Sequence, residues 1–196
     1  LAERRRQVGP ELVQEVRESV LSGIERPPVL VGVTVNATAA EIRRIVHVGT
    51  IDVVQLSGDE SPELLDDLDV PAIKTIHVGA DMSLDHLERL ADRWLDHPRP
   101  VIAIHIDAKV AGQYGGTGMR ADWSHAAHLA ARYPALLAGG LNPGNVFEGI
   151  QAVAPRGVDV SSGAEIAGEK DFALIEAFIA HARQGFSPLD ESGSTY

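Results

Sequence analysis

Six short apolar runs, alternating with stretches of helical periodicity, constrain the fold of this chain more than any other feature. The runs are residues 29–35 (VLVGVTV), 51–56 (IDVVQL), 70–78 (VPAIKTIHV), 100–107 (PVIAIHID), 135–138 (ALLA) and 157–160 (GVDV). They are short and mostly apolar, several rich in β-branched residues, as buried strands are. Helical spacing fills the intervals. Residues 10–23 place Leu12, Val13, Val16, Val20 and Leu21 on one face, opening on Pro10 and stopping at Gly23. Residues 39–48 follow Thr38 as a plausible N-cap, with Gly49 past the end. Residues 61–68 open with Ser61 capping and Pro62 at the first position. Residues 84–95, 123–133, 142–153 and 171–183 complete the set, the last with Ala173, Leu174, Ala177 and Phe178 on one face. Such alternation implies an α/β fold with a parallel sheet and outer helices. A spacing of roughly 25 residues per βα unit fits a closed barrel or an open doubly wound sheet. Residues 1–184 are expected to form a single domain, and 185–196 a flexible tail.

Composition narrows the function. The formal net charge is −11, which argues against nucleic-acid and anionic-membrane partners, since both attract basic surfaces. A small anionic ligand is still compatible, because backbone amides bind phosphate on an acidic protein. The absence of cysteine removes disulfides, thiolate nucleophiles and cysteine metal ligands. No apolar run approaches the roughly 18 residues of a membrane span, and a cytoplasmic location is expected.

The strand at 100–107 ends on a carboxylate and runs into a glycine-rich loop. Alternation puts Ala103, His105 and Asp107 on one face and Ile102, Ile104 and Ile106 on the other. Asp107 is thus a candidate catalytic acid at a strand end. The plainer alternative is a capping or turn aspartate. His105 reads as a satisfied interior histidine. Gln113-Tyr114-Gly115-Gly116-Thr117-Gly118 can approach or fold over a ligand, and is not a dinucleotide fingerprint. Two further glycine elements, Gly139-Gly140 and Ser161-Ser162-Gly163, sit at consecutive strand ends and would form an anion site. Gln55 and Lys74 are polar residues in apolar strands. Lys74 suits a structural ion pair with an acid such as Asp107 or Asp159. Arg4, Arg5 and Arg6 read as a solvated run unless the loop lies at a ligand mouth, where a guanidinium binds carboxylate. His125 and His128 lack a third ligand, so no metal site is expected.

Together these motifs resemble the phosphoribosylanthranilate isomerase family. The resemblance is carried by VGVTVN (31–36), DVVQLSGDE (52–60), YGGTG (114–118) with Asp122-Trp123, AGGLNPGNV (138–146) and VDVSSGAE (158–165). It covers residues 4 to 183 in order. It implies a (β/α)8 barrel, of which about six βα units are present. It also implies the cofactor-free Amadori rearrangement of N-(5-phosphoribosyl)anthranilate in tryptophan biosynthesis, with a small phosphosugar–anthranilate as ligand. On the same resemblance Asp107 is the general acid, and Gly139, Gly140, Ser162 and Gly163 bind phosphate. Arg6 aligns with the arginine that holds the anthranilate carboxylate. Gln55 and Asp159 line the mouth.

Three departures stand beside the match. The family's lysine-isoleucine-cysteine-glycine strand, whose cysteine is the general base, has no counterpart among these residues. The resemblance begins in the loop after the family's second strand, leaving out a βαβ unit of roughly 30 residues. Ser57 stands where the family usually has histidine. A chain of six units would expose parallel edges and can bury them against a second copy. It is expected to have little isomerase activity alone. The competing readings are a non-catalytic phosphate-ligand-binding or assembly module, and a dual-substrate isomerase of histidine and tryptophan synthesis.

Overall fold

The computed structural model describes residues 7–79, 81–108 and 123–187. The chain divides into two compact units: Leu1–Thr75 with Arg93–Ile102, and Ile76–Asp92 with Ala103–Tyr196.

The first unit begins with α1 (Pro10–Val16), which continues as one wider π-helical stretch, Arg17–Leu21. Arg17 ends up beside Asp52, with N–O distances of 3.0 and 3.1 Å. Asp52 also accepts the Leu30 N–H, and these contacts hold its carboxyl below the usual range. Strand β1 (Val31–Thr34) pairs in parallel with β2 (Val53–Leu56), and β2 with the start of β3 (Ala72–Val78). Helix α2 (Ala39–Gly49) starts on a capping box. The Thr38 hydroxyl accepts the Glu41 N–H, and the Glu41 carboxylate accepts the Thr38 N–H. The stop differs from expectation: Gly49 is the last helical residue, and Thr50 takes the left-handed conformation. Pro62–Asp67 is a 3-10 helix, and the Ser61 side chain makes no capping bond. The core of this unit gathers Ile42, Val54, Leu56, Leu65, Leu68, Trp94 and Val101. On β1, Val31 and Val33 are exposed.

The second unit takes the end of β3, then most of α3 (Leu84–Leu95). Strands β4 (Ala103–Ala108), β5 (Ala135–Ala138) and β6 (Gly157–Val158) follow, parallel and in that order. Strand β4 begins three residues later than the apolar run, and β6 ends two residues earlier. Helices α4 (Ser124–Arg132) and α5 (Val146–Val153) pack on β5, with Leu129, Ile150 and Val153 buried, and α6 (Phe172–Phe186), with Phe178 buried, packs on α5. Asp171 caps α6 by accepting the Leu174 N–H. A short hairpin, β7 (Glu165–Ile166) and β8 (Glu169–Lys170), precedes α6. Among the described residues, no helix is long and apolar enough to cross a membrane.

Candidate active site

The site is built on the ends of β4, β5 and β6. Register sets Asp107 opposite Ala138, so the next residues of the β5 end, Gly139 and Gly140, emerge beside the carboxylate. Both glycines have positive φ, 89° and 67°. A Cβ at Gly139 would collide with the Ala108 carbonyl oxygen and come within 2.7 Å of Asp107 Oδ1. Glycine is therefore demanded here both by conformation and by space. Beyond it, residues 142–145 form a turn of side-chain bonds rather than the first turn of a helix. Asn142 accepts the Gly144 N–H at 2.8 Å, and Asn145 accepts the Asn142 N–H at 2.8 Å. The Asn145 side chain also donates to the Gly140 carbonyl at 3.1 Å. These bonds fix the direction of the Gly139-Gly140 backbone, and α5 starts only at Val146.

The β6 end supplies Asp159 and then Ser161, Ser162 and Gly163. A Cβ at Gly163 would overlap the Leu141 carbonyl, so the two glycine elements are packed backbone to backbone. His105, Asp107, Gly139, Gly140, Asp159, Ser161, Ser162 and Gly163 enclose a cleft of about 230 Å³. The structure thus brings together six of the residues singled out in the sequence: Asp107, Gly139, Gly140, Asp159, Ser162 and Gly163. Gln55 lies in the first unit, where its amide nitrogen is 3.1 Å from both the Ser57 and the Thr75 hydroxyls. Arg6 and the loop 113–118 lie outside the described residues, as does the chain from 188 onward.

The two carboxylates of the cleft have different partners. His105 is buried, and its Nε2 is 3.2 Å from Asp159 Oδ2. That hydrogen bond holds the Asp159 carboxyl below the usual range, against the opposing pull of burial. Asp107 Oδ2 faces His77 Nδ1 at 3.0 Å. Lys170 donates to the Ser161 carbonyl at 2.8 Å and sits 2.9 Å from Glu165.

Lys74 corrects an expectation. It pairs with Glu60 at 2.7 Å, not with Asp107 or Asp159. The reason is local: the Asn36 and Gly58 N–H groups hold the Glu60 carboxylate within reach of the ammonium, so the buried charge is met inside the first unit. Sequence reasoning missed His77 and Lys170. His77 was legible only as the polar member of an otherwise apolar strand end. Lys170 gave no signal, because its hairpin of two-residue strands has no readable period. His128 is 2.6 Å from Glu88, and among the described residues no cluster of three or more potential ligands could hold a metal.

Comparison with known proteins gives one consistent family. The sequence profile described as N-(5'phosphoribosyl)anthranilate (PRA) isomerase matches residues 2–181. The N-(5'-phosphoribosyl)anthranilate isomerase of Roseiflexus castenholzii is 44% identical over 182 residues, covering 91% of this chain and 83% of the relative. Among solved structures, phosphoribosyl anthranilate isomerase from Thermotoga maritima is 33% identical with a TM-score of 0.71, covering 91% of this chain and 82% of its own. A phosphoribosyl anthranilate isomerase solved with reduced 1-(o-carboxyphenylamino)-1-deoxyribulose 5-phosphate is 30% identical with a TM-score of 0.69, covering 91% and 81%. The fold class is accordingly that of the (β/α)8-barrel family, with six strands of its sheet among the described residues.

Proposed function

The chain belongs to the N-(5'-phosphoribosyl)anthranilate isomerase family, and on that premise we propose that its cleft holds the phosphosugar end of the substrate, with Asp107 as general acid. The activity is the isomerisation of N-(5-phosphoribosyl)anthranilate to 1-(2-carboxyphenylamino)-1-deoxyribulose 5-phosphate, a step of L-tryptophan biosynthesis. It is an aldose-to-ketose rearrangement in two proton-transfer stages. In the first, Asp107 gives its proton to the ribose ring oxygen. The C1′–O4′ bond breaks, and the anthranilate nitrogen lone pair forms C1′=N. In the second, the C2′ proton leaves and the enolamine becomes the ketone. These residues contain no cysteine, and none of them is assigned the second stage.

The observation that carries this reading is the cleft itself. Its volume, about 230 Å³, is below the roughly 300–1,000 Å³ of a pocket for a whole drug-sized ligand. It suits a phosphate and ribose, leaving the anthranilate outside it. The Gly139-Gly140 and Ser162-Gly163 backbones supply N–H groups for the phosphate, a geometry that needs no basic side chain. This fits the acidic composition. The hydrogen bond from His105 favours the ionised form of Asp159, so Asp159 acts as a fixed acceptor at the mouth and not as a proton donor. Arg6 is the candidate for the anthranilate carboxylate, by a bidentate bond. Gln55, tied to Ser57 and Thr75, acts as a positioned strand-end residue.

The test is Asp107→Asn in the protein as its gene encodes it, followed by loss of substrate fluorescence. Removing a general acid should slow turnover by about 10²–10⁴-fold. A variant within tenfold of the unsubstituted protein would contradict the assignment.

A further inference from the structure

We infer that His77 is a positioning residue for the general acid: its Nδ1–H holds Asp107 Oδ2 and turns Oδ1 towards the cleft. The inference rests on the reading of Asp107 given above and deepens it. Three observations support it. His77 is the exposed member of the β3 end, between buried Ile76 and Val78, so its ring is not required by the core. Its Nδ1 lies 3.0 Å from Asp107 Oδ2, an ordinary hydrogen-bond distance. The other oxygen, Oδ1, is the one that a Cβ at Gly139 would approach, and Gly139 lines the cleft. The two oxygens of one carboxyl group therefore face different surroundings.

That division has a chemical consequence. A carboxylic acid has one O–H to give, and a proton on the wrong oxygen is useless to the substrate. An N–H directed at Oδ2 makes that oxygen the acceptor. The acidic proton is then left on Oδ1, on the side where the ribose ring oxygen would sit. Neutral His77 donates in this way in its Nδ1–H tautomer.

The test reads the acid step alone. Ring opening and reclosure interconvert the α and β anomers of N-(5-phosphoribosyl)anthranilate, and this exchange needs the acid but not the group that removes the C2′ proton. It is followed by NMR exchange at several substrate concentrations with the unsubstituted chain, D107N, H77L and H77N. Asn at 77 keeps an N–H near the place of Nδ1, and Leu does not. H77L should lower the saturating rate about tenfold, the rate equivalent of one hydrogen bond, with the half-saturating concentration within about twofold. H77N should recover most of the rate, which a merely structural role for the ring would not predict. Urea midpoints equal to that of the unsubstituted chain show that both variants fold. If H77L exchanges at the normal rate while D107N does not, the His77 inference is overturned and Asp107 stands. If H77N is as slow as H77L, a held hydrogen bond is not what His77 supplies. If D107N leaves the exchange intact, or the unsubstituted chain does not accelerate it, the Asp107 reading fails and His77 falls with it.

Discussion

Replacing Lys74 by Met should cost the first unit more stability than any exposed substitution. Lys74 Nζ is 2.7 Å from Glu60 Oε2, and the two side chains are only 7% and 3% exposed. The ammonium also donates to the Gly58 carbonyl and lies 5.0 Å from the centre of the Trp94 ring. Glu60 accepts the Asn36 N–H at 2.9 Å and the Gly58 N–H at 3.0 Å. Met keeps the stem and removes the charge, so Glu60 is left buried with backbone donors alone. Removing one partner of a buried pair costs about 3–5 kcal/mol. The surviving N–H bonds place this case near 3 kcal/mol. With a urea m-value of about 2 kcal/mol/M, the midpoint should fall by roughly 1.5 M, read by tryptophan fluorescence. The double variant K74M/E60M removes the stranded charge and should recover most of that loss. The pH dependence follows from Glu60. Burial raises its pKa, but the bonds from Lys74 and the backbone outweigh burial, and the folded value lies below the ordinary 4.5. A depressed folded pKa contributes stability above 4.5, and that contribution is lost as pH falls through the folded value. Without Lys74 burial prevails, Glu60 protonates more readily, and the deficit of K74M should shrink as pH falls towards 4.5. A midpoint shift below about 0.3 M at pH 7, or a double variant no better than the single, would refute this account.

Three further outcomes are expected. Gly139→Ala and Gly163→Ala each force a Cβ into a neighbouring carbonyl, so inorganic phosphate should bind at least about tenfold more weakly by calorimetry; unchanged affinity would remove the glycines from the phosphate site. His105→Leu removes the hydrogen bond that lowers the Asp159 pKa. The pH-dependent part of its stability loss should be present above pH 3.8 and fade as pH falls through the folded value, and a deficit constant across an acid titration would count against the pairing. A polypeptide of these 196 residues, which hold no cysteine, should show little steady-state isomerase turnover, and normal turnover would mean that another group removes the C2′ proton.

Elements with a clean local signal were legible in the sequence. Helix α3 and strand β5 have the bounds that periodicity gives, 84–95 and 135–138. The Thr38 cap was readable because Glu41 stands three residues later. Errors fell where the deciding force is not local. Gly49 looks like a helix stop, yet Thr50 takes the left-handed position and bonds back to Val46. Ser61-Pro62 has the composition of an α-helix start, but only a 3-10 helix forms before the chain turns into β3. The partner of Lys74 required knowing which face of β3 it occupies, and nothing in the alternation of 70–78 says which face meets which neighbour. His77 could not be read as a partner of Asp107 for the same reason. The glycines were legible because their demand is steric and absolute.

The chemistry of the cleft is at bottom a matter of strand register. His105 and Asp107 are two residues apart on β4, so one face delivers both. Each then takes its own partner, Asp159 for His105 and His77 for Asp107. A slip of one residue would turn Ile104 and Ile106, both fully buried, into the cleft and send both polar residues into the core. Burying a carboxylate and an imidazole without partners costs several kcal/mol, a large fraction of the roughly 5–15 kcal/mol by which a whole domain is stable. The apolar residues of β4 therefore specify the site as firmly as the polar ones do. The same register sets Asp107 against Ala138 and so puts the β5 turn where only glycine fits. The acid and the glycine backbone proposed for the phosphate are fixed by one pairing, so any substitution that shifts β4 against β5 should lose ring opening and phosphate binding together.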